Sequence, residues 1–263
     1  IRKPAAYCGI VGYKPTYGMI SRYGLFPYAS SLDHCGVLTR SVSDAAIVVD
    51  GMKGLDKNDM TTWDSSNIHL YESLKKDVSG KKLCYIKEIC AYEMFPNMDN
   101  ELKEHLDNFY KIINMIKKSG MEVDEISYSV IANAEATSNM SNLTGIIFGP
   151  REEDDNYVDM IKNYRTKNFS SLIKRRFVIG SYVLQKENKD RYFYNAQRVR
   201  RRVVDKFKEI FKEYDGVILP VETGPAKKFS DMNKQSKEEN IILENYLDIA
   251  NFGGFPSITI PCG

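Results

Sequence analysis

The sequence predicts an α/β protein with a mixed, mostly parallel central sheet flanked by helices. An apolar segment typical of a buried strand (81–89) is followed by an amphipathic helix (98–119) and an alternating strand (121–130). Strand, helix and strand in this order are typical of a βαβ unit, in which the two strands are parallel. Two further strands are predicted near the end of the chain, at 215–222 and 256–263, in agreement with the same fold class.

The first fifty residues are rich in Gly, Pro and Tyr, which favours short strands and tight turns. The helix that follows them can be capped by Thr39 or Ser41 and can end at Gly51 or Gly54.

Helical patterns dominate the remaining chain, apart from polar loops at 55–79 and 226–240. The helix at 98–119 carries one apolar stripe and ends at Gly120. A second long helix is predicted at 190–214. The apolar stripe of the first helix consists of Leu102, Leu106, Phe109, Ile112, Ile113 and Ile116.

Composition excludes some classes of function and favours none. Lys+Arg total 37 against 35 Asp+Glu, a net charge of +2 that is too balanced to indicate nucleic-acid binding. The five cysteines are scattered and the three histidines form no cluster with them, so we expect reduced thiols, a cytoplasmic location and no metal site. No apolar run approaches the ~20 residues that span a bilayer.

Both ends of the sequence suggest a fragment of a longer fold. The first residue is Ile1, and the last residues form an apolar strand pattern that closes in Pro261 and Gly263. Natural termini are more often polar and frayed. We therefore expect residues 1–263 to be part of a single domain that is truncated at both ends.

Two basic segments invite a functional interpretation. The run that includes Arg198, Arg200, Arg201 and Arg202 could form an anion or RNA surface, but a helix with a charged solvent face explains it more simply. The segment 174–176 (KRR) lies beside apolar residues, where an arginine can either bind a carboxylate or form a structural ion pair. No GxSxG, GxxxxGK[ST] or GxGxxG motif with the required context is present, so the residues alone leave the function open.

Ordered motifs along the chain nevertheless resemble one family. The segments KPTYG, SRYGL, SSLD and TRSVSDAA follow one another within the first 46 residues. Together with YSVIANAEATSNMSNL, KRRFVIGSYVL, AQRVRRRV, YDGVILP and NFGGFPSITIPCG, they are similar to the amidase-signature family. Within that family they resemble the A subunits of tRNA-dependent amidotransferases. The resemblance covers nearly the whole chain and implies the amidase-signature fold.

The resemblance implies a Ser–cis-Ser–Lys triad in which a lysine activates the nucleophilic serine through a bridging serine. In the family the nucleophile ends a Gly-Gly-Ser-Ile-Arg motif, and this chain starts at the Ile-Arg step with Ile1 and Arg2. The nucleophile is therefore expected immediately before Ile1, with the bridging serine, the lysine and the oxyanion-hole amides further upstream. We expect no catalytic residue within this chain, and we expect the fragment alone to be inactive.

Three substrate-binding positions are carried over from the family by their motifs. Tyr128 precedes the VIA segment, Arg176 is the second arginine of the KRR run, and Glu244 lies seven residues before an Asn-x-x-Gly motif. Arg176 suits the α-carboxylate of glutamine, and an acidic group suits its α-ammonium. Glu244 stands where aspartate is more usual in the family, so Asp248 is the alternative. Packing in the core would explain Tyr128 equally well.

The implied activity is glutamine hydrolysis that supplies ammonia for the conversion of Glu-tRNA(Gln) to Gln-tRNA(Gln). The implied partners are a B subunit, which uses ATP and Mg²⁺ and binds most of the charged tRNA, and a small C subunit. No cofactor is expected in this chain. Two alternatives stay open: a stand-alone amidase-signature hydrolase of other amides, and a non-catalytic scaffold subunit with the same fold.

Overall fold

A computed structural model describes residues 1–90, 92, 100–126, 156–168, 174, 178, 181–221, 226 and 247–261. Its helices and strands follow in chain order: α1 Arg2–Cys8, β1 Val11–Lys14, β2 Val37–Thr39, α2 Val42–Met52, α3 Leu70–Ser73, β3 Lys82–Ile86, α4 Lys87–Cys90, α5 Asn100–Lys118, β4 Glu122–Ile126, α6 Tyr157–Asn168, α7 Lys186–Asn188, α8 Asn195–Glu213, β5 Gly216–Ile218, α9 Ile249–Phe252 and β6 Ser257–Thr259. A π-helical stretch, Lys189–Tyr194, joins α7 to α8.

The predicted βαβ unit is present. Strands β3 and β4 are parallel, with Lys82 opposite Glu122, and α5 forms the connection between them. Strand β5 adds to the other side of β3, again parallel, so the sheet order is β4–β3–β5. The apolar stripe of α5 is its buried face: Leu102, Leu106, Phe109 and Ile113 are buried. The period of 3.6 residues thus predicts both the helix and its orientation.

A second sheet is antiparallel and has the order β2–β1–β6. Gly12 of β1 lies opposite Leu38 of β2 and opposite Thr259 of β6. Helix α2 covers a small apolar core that belongs to this sheet. Its buried residues are Val11, Met19, Ile20, Val37, Ala45 and Val49.

Helix α2 starts where the sequence predicts. The Ser41 side chain accepts the main-chain N–H of Asp44 at 3.0 Å, so Ser41 rather than Thr39 is the cap. The helix continues through Gly51 to Met52, the extended residue Lys53 caps its end, and Gly54 follows with φ 143°. Gly51 is therefore not the end of the helix.

Four helical segments differ from the prediction. Helix α3 lies within the loop predicted at 55–79, and helix α4 occupies the end of the strand predicted at 81–89. Residues 2–8 form helix α1, where the sequence predicts only strands and turns. The long helix expected at 190–214 is α-helical only from Asn195, because a π-helical stretch precedes it. A seven-residue helix is too short to show a 3.6-residue period in its sequence, and a π-helical turn has no simple sequence pattern.

The chain divides into two compact units. The first contains Ile1–Tyr23, His34–Val130 and Arg202–Gly263, and the second contains Gly24–Asp33 and Ile131–Arg201. Both described sheets belong to the first unit. A single domain over residues 1–263 stays a prediction. None of the helices that the structure describes is long and apolar enough to cross a membrane.

Candidate functional site

The start of helix α1 lies against β1 at two glycines. A Cβ on Gly12 would stand 2.9 Å from the carbonyl oxygen of Ile1 and 2.5 Å from the Ala5 Cβ. A Cβ on Gly36 would stand 2.5 Å from the Ile1 Cδ1 and 2.5 Å from the carbonyl oxygen of Tyr13. Atoms do not approach so closely, so only glycine permits this packing. The main chain of Ile1 is thereby held at a fixed distance from the sheet.

The side chain of Arg2 is held by the far end of the sequence. Its guanidinium donates to the Asn251 Oδ1 at 2.5 Å and to the Ser257 Oγ at 3.5 Å. Burial lowers the pKa of Arg2 below its ordinary value, and the nearby charge of Asp248 acts in the opposite direction. We call Arg2, Lys14, Asp248, Asn251 and Ser257 the Arg2 cluster.

Lys14, the last residue of β1, brings a second cation into this cluster. Its side chain is only 2% exposed, and its Nζ donates to the carbonyl oxygens of Phe255 at 2.6 Å and Pro15 at 3.1 Å. Burial lowers the pKa of Lys14 to about 7, and the charge of Arg2 acts in the same direction. In the sheet ladder Lys14 lies opposite Ser257, which also accepts from Arg2.

A tight turn between α9 and β6 carries the Phe255 carbonyl that Lys14 contacts. The turn lies between the two acceptors of Arg2, Asn251 of α9 and Ser257 of β6. Gly254 has φ 68°, a left-handed conformation that favours glycine, and its carbonyl accepts the N–H of Tyr17 at 3.0 Å. The Phe255 ring packs against Phe211 of α8 edge to face, with 5.1 Å between centroids, and against Phe207 at 6.3 Å. The turn is therefore fixed by a ring cluster on one side and hydrogen bonds on the other.

A separate polar network surrounds Arg22. Its guanidinium lies over the Tyr17 ring at 4.7 Å and donates to the Thr61 Oγ1 at 3.0 Å, while its Nε lies 3.7 Å from Asp59. Burial would raise the pKa of Asp59, but hydrogen bonds from Thr61 and from the Arg22 main chain lower it below its usual range. The His34 ring meets Tyr17 edge to face at 5.2 Å. These contacts hold the loop around residue 60 against the segment that contains Tyr17.

The three predicted substrate-binding residues lie outside the described part of the chain. They are Tyr128, Arg176 and Glu244, and their roles stay predictions. The alternative acidic residue, Asp248, is described: it is the residue before α9, and its charge acts on Arg2. Asp248 is thus an electrostatic partner of a protein side chain.

The basic run on α8 has the arrangement of an amphipathic helix. Val203 is buried, whereas Arg201 and Arg202 are exposed. Arg200 is half-buried and donates to the Ser31 Oγ at 2.7 Å. The solvent-face interpretation therefore fits Arg201 and Arg202, while Arg200 has a structural hydrogen bond.

The described part of the chain contains cysteines, both buried and exposed, and other potential metal ligands. It contains no group of three or more His, Cys, Asp or Glu side chains that could hold a metal ion. Cys8, Cys35, Cys84 and Cys90 are free thiols, and Cys262 lies outside the described residues. Burial raises the pKa of Cys84 to about 11 and that of Cys90 to about 12, so neither is a thiolate near neutral pH.

The sequence predicts little of the Arg2 cluster. The sequence identifies Arg2 only as part of the Ile-Arg motif. It identifies Asn251 only as the first residue of the Asn-x-x-Gly motif from which the position of Glu244 is counted. Lys14 is marked only as the first residue of the KPTYG motif, and its burial has no sequence signal. No sequence signal indicates the hydrogen bond between Arg2 and Asn251, because the two residues are 249 positions apart.

Comparisons with known proteins agree on a family. A family model described as Amidase matches residues 1–263, and the chain therefore belongs to the amidase family. Among its relatives, the A subunit of glutamyl-tRNA(Gln) amidotransferase from Halothermothrix orenii is 35% identical over 274 residues, covering 100% of this chain and 56% of the relative. The same A subunit from Campylobacter jejuni is 37% identical over 273 residues, covering 99% of this chain and 58% of the relative.

Solved structures give the same fold. The crystal structure of the glutamyl-tRNA(Gln) amidotransferase A subunit from Thermotoga maritima matches with a TM-score of 0.69 and 29% identity, covering 100% of this chain and 53% of that chain. An amidase family protein from Bacillus anthracis matches with a TM-score of 0.64 and 21% identity, covering 100% of this chain and 48% of that chain, and shows the fold alone. The α/β amidase-signature prediction is confirmed. The chain spans little more than half the length of the two curated relatives.

Proposed function

We propose that this chain is the larger part of the glutaminase subunit, the A subunit, of a tRNA-dependent amidotransferase. The observation that carries the proposal is the identity of 35% to 37% with curated A subunits across essentially the whole chain. The 29% identity with the Thermotoga maritima protein over all of this chain supports it. Amidase structures less than 25% identical support the fold and leave the substrate open.

In the proposed reaction, a serine that precedes Ile1 attacks the side-chain carbonyl carbon of glutamine. Its proton passes through the bridging serine to the lysine base and on to the leaving nitrogen, so that ammonia departs and a glutamyl ester of the serine forms. Water then cleaves the ester and releases glutamate. The Arg2 cluster supports this chemistry indirectly, because it fixes the main chain of Ile1 and Arg2 directly after the attacking residue.

Glutamine recognition is assigned to Tyr128, Arg176 and Glu244. Arg176 would pair with the α-carboxylate and Glu244 with the α-ammonium, because hydrogen bonds between ionised groups of opposite charge are among the strongest. The charge of Asp248 already acts on Arg2, and this favours Glu244 over Asp248 for the ammonium. Tyr128 would close the side of the pocket.

The partners follow from the same assignment. A B subunit would phosphorylate Glu-tRNA(Gln) with ATP and Mg²⁺ and transfer the ammonia to it, and a C subunit would brace the pair. The nucleotide and the metal would belong to the B subunit, and this chain would hold no cofactor. We place most of the tRNA contacts on the B subunit, which agrees with the balanced charge of this chain.

The direct test is a glutaminase assay on the complete protein, with and without the B and C subunits. We expect release of ammonia from glutamine that rises when the partners are present. Turnover of aryl or fatty amides without partners, and none of glutamine, would instead identify a stand-alone amidase. No turnover of any amide by the complete protein would identify a scaffold subunit.

A substitution tests the assignment of the pocket. Arg176→Ala should raise the KM for glutamine by about 10- to 100-fold, the cost of a lost charged hydrogen-bond pair. Arg175→Ala, which removes the neighbouring arginine of the same run, is the matched control and should leave the KM within about twofold. An unchanged KM in Arg176→Ala would remove that residue from the glutamine site.

A further inference from the structure

Lys14 is an uncommon kind of buried residue. Lysine is rarely fully buried unless a carboxylate pairs with it, because the charge is costly to remove from water. Lys14 is 2% exposed, and within the described part of the chain its Nζ donates to two main-chain carbonyls. A methionine would fill similar space without the cost of desolvating an amino group. The two hydrogen bonds are therefore what distinguishes lysine from an apolar residue at this position.

One of the two bonds joins segments far apart in the sequence. Pro15 adjoins Lys14, so the bond at 3.1 Å to its carbonyl mainly orients the Lys14 side chain. The bond at 2.6 Å to the Phe255 carbonyl spans 241 positions and ties β1 to the turn before β6. Both the ammonium and the neutral amine have the two N–H groups that these bonds need, so a pKa near 7 does not remove the connection.

The segment that Lys14 holds also carries both hydrogen-bond acceptors of Arg2. Asn251 lies four positions before Phe255 and Ser257 lies two positions after it, and each accepts from the Arg2 guanidinium. Ile1 and Ala5 closely approach Gly12 of β1, the same strand from which Lys14 projects. The start of α1, β1 and the segment 251–257 thus lie against one another. Lys14 and Arg2 provide side-chain hydrogen bonds to this segment in addition to the main-chain ladder between β1 and β6.

We propose that Lys14 is a positioning residue of the amidase centre, which holds the segment 251–257 against β1 and so keeps the acceptors of Arg2 in place at the start of α1. Its role in catalysis rests on the proposed function, because the expected nucleophile directly precedes Ile1. The role of Lys14 in holding the segment 251–257 is independent of the proposed function. The two parts of the proposal therefore need separate measurements.

The positional part is tested by hydrogen exchange of the complete protein. Lys14→Met keeps the length of the side chain and removes the donors. We expect faster exchange by at least about tenfold at the amides of 2–8 and 249–257, with little change at 42–53, since the loss of a buried hydrogen bond opens the segments it joined. Lys53→Met is the matched control: Lys53 is also largely buried but bonds Asp50 at 2.7 Å, and it should affect 42–53 and the nearby α3 only.

The catalytic part is tested by glutamine hydrolysis with the same variants in the assembled enzyme. Lys14→Met should lower kcat by about 10- to 100-fold and leave the KM for glutamine within about twofold, because misplacement affects the reacting group and spares the binding pocket. Lys14→Arg, which keeps the charge and the donors, should recover part of the lost kcat. Lys53→Met should leave kcat within about twofold of wild type.

The outcomes separate the two claims. Unchanged exchange at 2–8 and 249–257 in Lys14→Met overturns the proposal, whatever the activity. Changed exchange with a wild-type kcat overturns its catalytic part. Absence of glutamine turnover in the wild type contradicts the proposed function and leaves the exchange experiment to decide the positional part. If Lys14→Met does not fold, Lys14→Gln, whose donor is one bond shorter, is measured against the same expectations.

Discussion

The two described sheets are held together in different ways. The parallel sheet β4–β3–β5 is joined through α5, whose apolar stripe is buried, and its ion pairs, such as Lys82 with Glu122, lie at the surface. The antiparallel sheet β2–β1–β6 pairs strands from opposite ends of the chain, and two of its polar residues, Lys14 and Thr259, are buried. The first sheet is stabilised mainly by apolar burial. The second has its own small apolar core under α2 and adds close backbone approach and a few buried polar contacts.

The largest effect is expected in the apolar core of the parallel sheet. Leu106 is 1% exposed on α5, and Leu106→Ala should lower the free energy of unfolding by about 2–5 kcal/mol, the loss of buried surface plus the cavity that remains. Met115→Ala on the same helix is the control, since Met115 is 69% exposed and should cost about 0.5 kcal/mol or less. Urea unfolding measures both. Equal losses would mean that α5 does not bury this stripe.

A smaller effect is expected where the antiparallel sheet needs close approach. Gly36→Ala places a methyl group 2.5 Å from the Tyr13 carbonyl oxygen and should cost about 1–3 kcal/mol through overpacking. Gly51→Ala is its counterpart in α2, where nothing lies within 4 Å of the added carbon. It should stabilise the helix by about 0.5–1 kcal/mol. Effects of the same sign in the two variants would contradict the packing described at Gly36.

Stability should also depend on pH through Lys14. Its folded pKa is lowered to about 7 from an ordinary 10.5, so between these values the folded state has released a proton that the unfolded state keeps. The contribution of Lys14 to the free energy of unfolding therefore increases as pH rises above 7, by at most about 1.4 kcal/mol per pH unit. Lys14→Met should remove that component of the slope, measured by urea unfolding from pH 7 to 9. Identical slopes in wild type and variant would exclude a depressed pKa at Lys14.

The smallest effect is expected at the cap of α2, beside the antiparallel sheet. Ser41→Ala removes the acceptor of the Asp44 N–H and should cost about 1 kcal/mol. Ser43→Ala, at the second residue of α2, is the matched control and should change stability by about 0.5 kcal/mol or less. A loss in Ser43→Ala as large as that in Ser41→Ala would show that the cap does not set the start of α2.

The same contrast explains what can be predicted from the sequence. The βαβ unit and the buried stripe of α5 are predictable because contacts within one helix recur at a fixed spacing. Helix α1 is not predictable in this way, because seven residues are too few to show a helical period. Pro4 lies in its first turn, where a helix tolerates proline. The cap at Ser41 is one of two choices that the sequence offers, and the structure selects it through the Asp44 hydrogen bond.

The candidate site is predicted less completely for a related reason. The acceptors of Arg2 lie 249 and 255 positions away, and no local pattern links residues at such separations. The family motif indicates where Arg2 stands and leaves its contacts open. Tyr128, Arg176 and Glu244 stay predictions, and the glutamine assay with Arg176→Ala is what tests them.

The central claim is that Arg2 and its acceptors act as one unit at the start of α1. A double-mutant cycle on the free energy of unfolding tests it most directly, with Arg2→Met, Asn251→Ala and both together. We expect the double variant to lose about as much as Arg2→Met alone, which corresponds to a coupling of about 0.5–3 kcal/mol. Losses that add within about 0.3 kcal/mol would mean that the two side chains are independent, and the Arg2 cluster would not be a unit.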